Sequence, residues 1–488
     1  MNIDFSKYDF AEVVEIDGIM KVQYRKRGES QIIIEDEPSD LVLKKLKETA
    51  AWKLPGDLDP KLDKDHEFYI DHDARKGERG HIPTVLRNIA QEMEYIFSTC
   101  YSFADQKYAA LITMFVLDTY FKNSFDHAPR ITIISETMGG KTKLLMLVKY
   151  TGYRVKQSVD VSGASLFRSV EMFNITHLYD ESQDMSKDSR EFFNVIWKAG
   201  ADKDGGGVER CDKDFVPMSY NVYSPMIKSV MPGNKDKSDI ENRTFTVHTR
   251  RKMSEKKLEK LNKERLKELR TELYRIKICL EKYPYALDLK KMAEESDEEL
   301  MIVETTIEEE KNAKEKYPIL YEYKKKEGLL GDRPRDMSVP YYTLAKVAGF
   351  EKEIIPLCYE LNEKTKQTKW DSEHGCLFRD YLDIALNPIA NETTIETLNL
   401  FSLEERLFKI STKDIKNRHN KDMDEKNEKP LETSYVTSVF SGLGFTLKGI
   451  TQGQKFIVHD EKFNEIFKGH LEDYGTEDQQ SEFEQFNF

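Results

Sequence analysis

Gly139-Gly140-Lys141-Thr142 places a lysine and a hydroxyl directly after a glycine pair, a spacing suited to holding phosphate. The four residues close the run Ile131-Thr132-Ile133-Ile134-Ser135-Glu136-Thr137-Met138, which reads as a short β-branched strand entering a loop. A helical run follows, Thr142 to Tyr150. The order strand, loop, helix aims backbone N–H groups and the positive helix end at an anion. On this reading Ser135, Glu136, Thr137, Met138, Gly139 and Gly140 cradle the phosphates of ATP. Lys141 reaches the β and γ phosphates and the Thr142 hydroxyl binds Mg²⁺. Ser135 stands where the pattern GxxxxGK[ST] begins with glycine.

A second constellation completes the chemistry. Leu178-Tyr179-Asp180-Glu181 is an apolar strand ending in two acids, about forty residues after Lys141 with a helix between. Asp180 is expected to hold the magnesium shell and Glu181 to polarise the attacking water. An acid pair is also a common strand exit; its distance from the glycine loop favours the catalytic reading.

The elements that must position these groups alternate. Val13, Val14 and Ile16 meet Asp17-Gly18, a hairpin signal, and Ile19 to Tyr24 return; Gln31 to Glu35 adds a third strand. Leu41 to Leu54 is helical in pattern, and Pro55 to Asp65 reads as a linker. Two or three helices run from Ile82 to Phe121. Strands are then expected at Ile131–Ile134, His177–Tyr179, Met218–Tyr223 and Phe245–His248, so the core is α/β with a parallel sheet. Leu266, Leu269, Leu273, Ile276 and Leu280 step by three and four along a charged helix, a coiled-coil-like hairpin or a packed lid. Glu294 to Glu310 reads as a solvated acidic face.

The motifs from about Tyr95 to Arg251 resemble a family of P-loop ATPase domains of unknown function, found in bacterial, phage and plasmid proteins and described as helicase-like. Asp118-Thr119-Tyr120-Phe121, Ala128-Pro129-Arg130 and the SETMGGKT loop carry the resemblance. So do Ser162 to Arg168, Tyr179-Asp180-Glu181, Ala199-Gly200 with Gly205-Gly206 and Arg210, Ser224-Pro225, and Glu241-Asn242-Arg243-Thr244. Asp332-Arg333-Pro334-Arg335-Asp336, with Leu344-Ala345 and Ala348-Gly349, is similar to the family's downstream helical part. The family has a tighter glycine loop, and Asp-Arg-Ser where this chain has Asn242-Arg243-Thr244. The resemblance implies a P-loop core of the RecA/AAA+ kind, related to ring ATPases such as superfamily 3 helicases. It also implies roles: Asn221 or Ser224 as the polar γ-phosphate sensor, and Arg243 as a finger reaching a neighbour's nucleotide. Arg333, with Arg335 as the competing choice, would be a second sensor of the bound nucleotide.

Gly207 to Cys211 and Val216 to Tyr220 flank Asp212-Lys213-Asp214 and read as a β-hairpin. In superfamily 3 helicases a hairpin in this place grips nucleic acid, which would make Lys203, Arg210 and Lys213 the contacts here; an ordinary surface hairpin is the alternative. From Leu398 to His470, two helices, a turn and the strand pair Phe445–Ile450 and Lys455–His459 suggest a winged-helix module. Thr433 to Phe440 would be its recognition helix, with Lys448 and Lys455 flanking the wing.

Five domains follow from this: an N-terminal β/α region (1–80), the ATPase core (81–250), a helical lid (251–395), the winged-helix-like module (396–471) and an acidic disordered tail (472–488). The five scattered cysteines form no CxxC and the ten histidines no paired metal spacing, which points to a reduced, cytoplasmic protein without a zinc knuckle. Ala109 to Phe121 contains Asp118 and is too short to cross a bilayer, and no leader opens the chain. A formal charge of −13 excludes a surface that coats nucleic acid throughout but permits a local basic channel. The expected partners are single-stranded or forked DNA, further copies in a ring, hexameric by the resemblance, and replication proteins at the acidic tail.

Overall fold

Asp17 takes a left-handed φ of 49° and reverses the chain between two strands, β1 (Tyr8–Ile16) and β2 (Ile19–Lys26). They pair antiparallel from Ile16↔Ile19, as the Asp-Gly signal requires. In this computed structural model the described residues are 7–17, 19–29, 31–44, 46, 61–62, 81–135, 140–158, 163–180, 187–205, 207–211, 217–232, 238–249, 258–303, 306–370, 372–386, 406–407, 410–425, 431–443, 445–449, 455–458 and 462–484. Contacts divide the chain into two units, Met1–Asn362 and Glu363–Phe488, a division that falls inside a helix rather than near residue 395.

In the first unit β3 (Ile33–Glu35) and β4 (Lys61–Leu62) complete a sheet of order β3-β2-β1-β4. Part of the expected 55–65 linker is therefore a strand, parallel to β1. Glu12 of β1 is 6% exposed and ties this sheet to the body. It accepts hydrogen bonds from the Tyr153 and Tyr274 hydroxyls, the latter at 2.7 Å. Arg154 and Lys277 lie 3.6 and 3.7 Å from its oxygens. Burial pushes this carboxyl up, but the charges of Lys277 and Arg154 and the two hydroxyls outweigh burial and hold it at about 2. Removing the charge would leave two cations without their shared partner, so Glu12→Gln is expected to destabilise the fold by about 3–5 kcal/mol. Because the folded value is depressed, the ionic contribution is present above the ordinary carboxylate range and fades as pH falls toward 2. Urea unfolding of both proteins from neutral to acid pH checks this: the gap between them should narrow on acidification.

The central sheet is parallel, five-stranded and ordered β11-β5-β10-β7-β6. Its strands are β5 (Arg130–Ile134), β6 (Val155–Ser158), β7 (Thr176–Tyr179), β10 (Met226–Val230) and β11 (Thr244–His248). Side chains alternate between faces. Ile131, Ile133, Leu178, Ile227, Phe245 and Val247 share one core with α1 (His81–Cys100), α2 (Lys107–Phe121), α3 (Lys141–Thr151), α7 (Lys263–Lys282) and α11 (Asp332–Ala348). On the other face Tyr179 and Met226 pack with α4 (Gly163–Phe173), α5 (Lys187–Ala199) and α6 (Ser238–Glu241). Both faces are thus covered, as a parallel sheet requires. The architecture is a mixed α/β fold compatible with a Rossmann or P-loop-like core.

The third strand of this sheet differs from expectation. Residues 217–220 (β9) pair antiparallel with β8 (Val208–Cys211) as a separate ribbon, and Met226–Val230 enters the sheet instead. The reason is packing: Lys228, a polar residue in a strand interior, is 2% exposed with its ammonium 4.7 Å above the Trp197 ring.

Beyond the sheet, α7 packs in the main core rather than forming a separate coiled coil: Leu266, Leu269 and Leu273 are fully buried. Arg265 binds Glu92 of α1 through two bonds of 2.6 and 2.7 Å. The helices α8 (Leu289–Met301), α9 (Ile307–Lys316), α10 (Pro318–Glu327) and α12 (Glu351–Trp370) complete the series. The acidic stretch is not uniformly solvated, since Glu299 of α8 is 5% exposed and bonds Lys316 and Lys346 at 3.0 and 2.8 Å.

The second unit has its own core. Its order is α13 (Glu373–Leu386), a bridge from Ser411 to Phe456, α14 (Thr412–Glu425), α15 (Thr433–Gly442), an antiparallel ribbon of β12 (Leu447–Gly449) and β13 (Lys455–Ile457), then α16 (Phe463–Tyr474) and α17 (Glu477–Glu484). The tail expected to be disordered contributes α17, because Phe483, 1% exposed, inserts among Phe467 and its neighbours. Residues 485–488 lie outside the described set. Among the described residues no helix is long and apolar enough to cross a membrane.

Candidate functional site

β5 carries the chain to Ser135, which is fully buried and donates its N–H to the Val230 carbonyl at 3.1 Å. Glu136, Thr137, Met138 and Gly139 lie outside the described residues. The chain resumes at Gly140 with φ 82°, a left-handed step that turns it into α3 at Lys141. Any side chain at Gly140 would be strained there, and a Cβ would sit 3.2 Å from the Tyr101 ring. Tyr101, 3% exposed, braces this turn. No described side chain caps α3. Lys141 is half-buried in this first turn and Thr142 is exposed.

Asp180 follows the last residue of β7. It is 8% exposed, and the Ser229 hydroxyl donates to its Oδ1 at 2.7 Å. Alternation explains the placement. Leu178 and Ile227 point to the face that α3 covers, so Asp180 and Ser229, each two residues further on, return to that face. Ser135, the head of α3, Asp180 and Ser229 therefore gather at the carboxyl ends of β5, β7 and β10, where open parallel sheets bind ligands. Glu181 lies outside the described residues.

Other expected residues sit elsewhere. Asn221 is exposed in the segment between β9 and β10, with its Oδ1 accepting the Tyr223 N–H at 2.9 Å. Ser224 is fully buried and donates to the Ile175 carbonyl at 2.5 Å. Both precede β10 and so lie at the amino end of the sheet, across from Lys141. Arg243 also lies at that end, immediately before β11, and bonds Asp202 at 2.8 Å. Arg333, in the first turn of α11, bonds the same carboxylate at 3.0 Å rather than approaching the glycine loop. Arg335 is taken up by Asp297 at 3.0 Å and by Asp332 and Asp336. Of the expected nucleic-acid contacts, Arg210 is exposed on β8, its guanidinium 4.4 Å over the Phe192 ring. Lys203 lies off the hairpin, donating to the Asn123 carbonyl at 2.8 Å. Lys213, between β8 and β9 in the sequence, lies outside the described residues.

No family model matches the sequence, and no curated protein does. Among solved structures, the apo form of the C-terminal region of NrS-1 aligns over 92% of this chain and 95% of that one. The identity is 10% and the TM-score 0.32.

The donor set suits a magnesium nucleotide. Magnesium keeps most of its water and takes one or two protein oxygens beside phosphate, which Asp180 and Thr142 can supply. Ser229 escapes the sequence reading because the strand holding it is expected there seven to eight residues too early; its signal is the apolar pair Met226-Ile227 directly after Pro225.

Proposed function

We propose that this chain is an ATP-hydrolysing translocase or helicase that acts on DNA as a ring of copies. The observation that supports it most is the Asp180–Ser229 pair on the face covered by α3, at the carboxyl end of the strand next but one to β5. Lys141 and the head of α3 would bind the phosphates, Thr142 and Asp180 would hold magnesium, and Glu181 would take a proton from the attacking water. A bound magnesium ion supplies charge neutralisation between the phosphates.

Two features favour nucleic acid as what the ATP acts on. Arg210 is exposed on the ribbon β8–β9, and Lys213 follows it in the sequence. The second unit runs helix, bridge, helix, helix, two-stranded ribbon, the order of a winged helix, with α15 as the recognition helix and Lys448 and Lys455 exposed on the ribbon. One observation favours a loader or remodeller working on proteins instead: α15 presents Ser434, Tyr435, Ser438 and Ser441 and contains no lysine or arginine.

Titrating single-stranded DNA at two salt concentrations separates the two. Arg210→Ala with Lys213→Ala is expected to weaken DNA affinity, to reduce the salt slope by roughly one per lost cation, and to leave basal turnover nearly unchanged. Wild-type affinity and slope in the double mutant would remove the hairpin from the DNA path; no DNA binding by the wild type would favour the protein-directed reading.

A further inference from the structure

α5 uses one side for the core and leaves an aromatic ring outside it. Phe193, Ile196 and Trp197 turn inward and are buried under the helix. Phe192 and Val195, three residues apart, lie on its flank; Val195 is 51% exposed and Phe192 half-buried. Phe192 is not part of the core that α5 covers. Instead Arg210, exposed on the neighbouring ribbon, holds its guanidinium 4.4 Å over the Phe192 ring. Nη1 of Arg210 donates to the Glu209 carbonyl at 2.7 Å, and among the described residues no carboxylate pairs with this side chain.

An aromatic ring under a planar cation at the surface is suited to a flat partner that also carries negative charge. A nucleic-acid base stacks on either group, and the phosphate beside it answers the charge of Arg210. An apolar protein side chain would cover Phe192 and Val195 but leave that charge unanswered. Attraction to phosphate alone is a weak grip here. Glu209, Asp212 and Asp214 outnumber Arg210 and Lys213 along this stretch of sequence and dilute the local field. Stacking does not depend on net charge, so it holds where the coulombic contribution fades.

We propose that Phe192 and Arg210 form a stacking site for one base of a single strand of DNA. The inference rests on the DNA reading above and deepens it. It adds Phe192, from a helix that the motifs assign no role, and it makes base stacking rather than phosphate attraction the main force. Such a site takes any base, because every base has a flat face. It favours single strands, because the bases of a duplex keep their faces against one another.

Titration with fluorescein-labelled oligo(dT), and with an abasic strand of the same length, tests it at two salt concentrations. The wild-type chain should bind oligo(dT) more tightly than the abasic strand, which keeps the phosphates and lacks the bases. Phe192→Leu, which keeps an apolar side chain but no ring, is expected to lose roughly 5- to 100-fold in oligo(dT) affinity with the salt slope unchanged. Its affinity for the abasic strand should stay at the wild-type value. Phe192→Trp should retain binding, and the emission it adds to that of the wild-type protein should be quenched by oligo(dT). Wild-type affinity in Phe192→Leu overturns the proposal, and so does equal binding of the two strands by the wild type. A loss accompanied by a lower salt slope also overturns it, since that marks a phosphate contact. Should Phe192→Leu misfold, Arg210→Lys repeats the comparison: it keeps the charge, loses the plane, and should weaken oligo(dT) binding at constant slope. A wild-type protein that binds neither strand removes the DNA reading itself, an outcome distinct from these.

Discussion

Lys141→Ala is expected to abolish ATP turnover, by a factor on the order of 10² or more, with the fold intact. Lys141 is only half-buried in the first turn of α3, while the anchors of that helix, Leu144, Leu145, Leu147 and Val148, are fully buried and untouched by the change. The loss should therefore appear in nucleotide affinity or turnover and not in melting temperature. Glu181→Gln separates binding from chemistry. The amide cannot accept the proton of the attacking water, so hydrolysis should fall by about 10²–10⁴ while ATP binding is retained. Fluorescent-nucleotide titration beside phosphate release measures both, and normal hydrolysis by Glu181→Gln would reassign the catalytic acid.

Arg243→Ala carries the other large expectation. An arginine that stabilises transferring phosphate from a neighbouring chain contributes about 10³–10⁵ in turnover. The substitution leaves Asp202 with Arg333 and His127, so the carboxylate is not abandoned and the fold should survive. Because the group acts between chains, wild-type specific activity should rise with protein concentration as copies assemble. Turnover per chain measured across a dilution series, beside mass in solution, checks both points. A monomer with full, concentration-independent activity would contradict the trans assignment.

Local signals were the legible ones. Asp17 reverses the chain where an Asp-Gly pair predicts it, and β5 begins one residue before the apolar run from Ile131. The strand into Asp180 was legible for the same reason: Leu178 and Tyr179 are apolar, wholly buried and followed at once by an acid pair. Long-range pairing was not. Lys228 reads as a break in an apolar strand until Trp197 is placed beneath it. Arg333 meets Asp202 across 131 residues of chain, a distance over which spacing carries no information. The motif resemblance drew Arg333 toward the nucleotide; the first turn of α11 takes it to the opposite end of the sheet. The acidic tail misled through composition alone, since Phe483 and its aromatic neighbours outweigh the charges around them.

The account stands most directly on ATP turnover by the wild-type chain in magnesium, with and without single-stranded DNA, on material of known mass. It requires hydrolysis that is absent from Lys141→Ala, that needs magnesium, and that DNA raises in the assembled form. Phosphate release no greater than that of Lys141→Ala, in every assembly state and with DNA present, would contradict it.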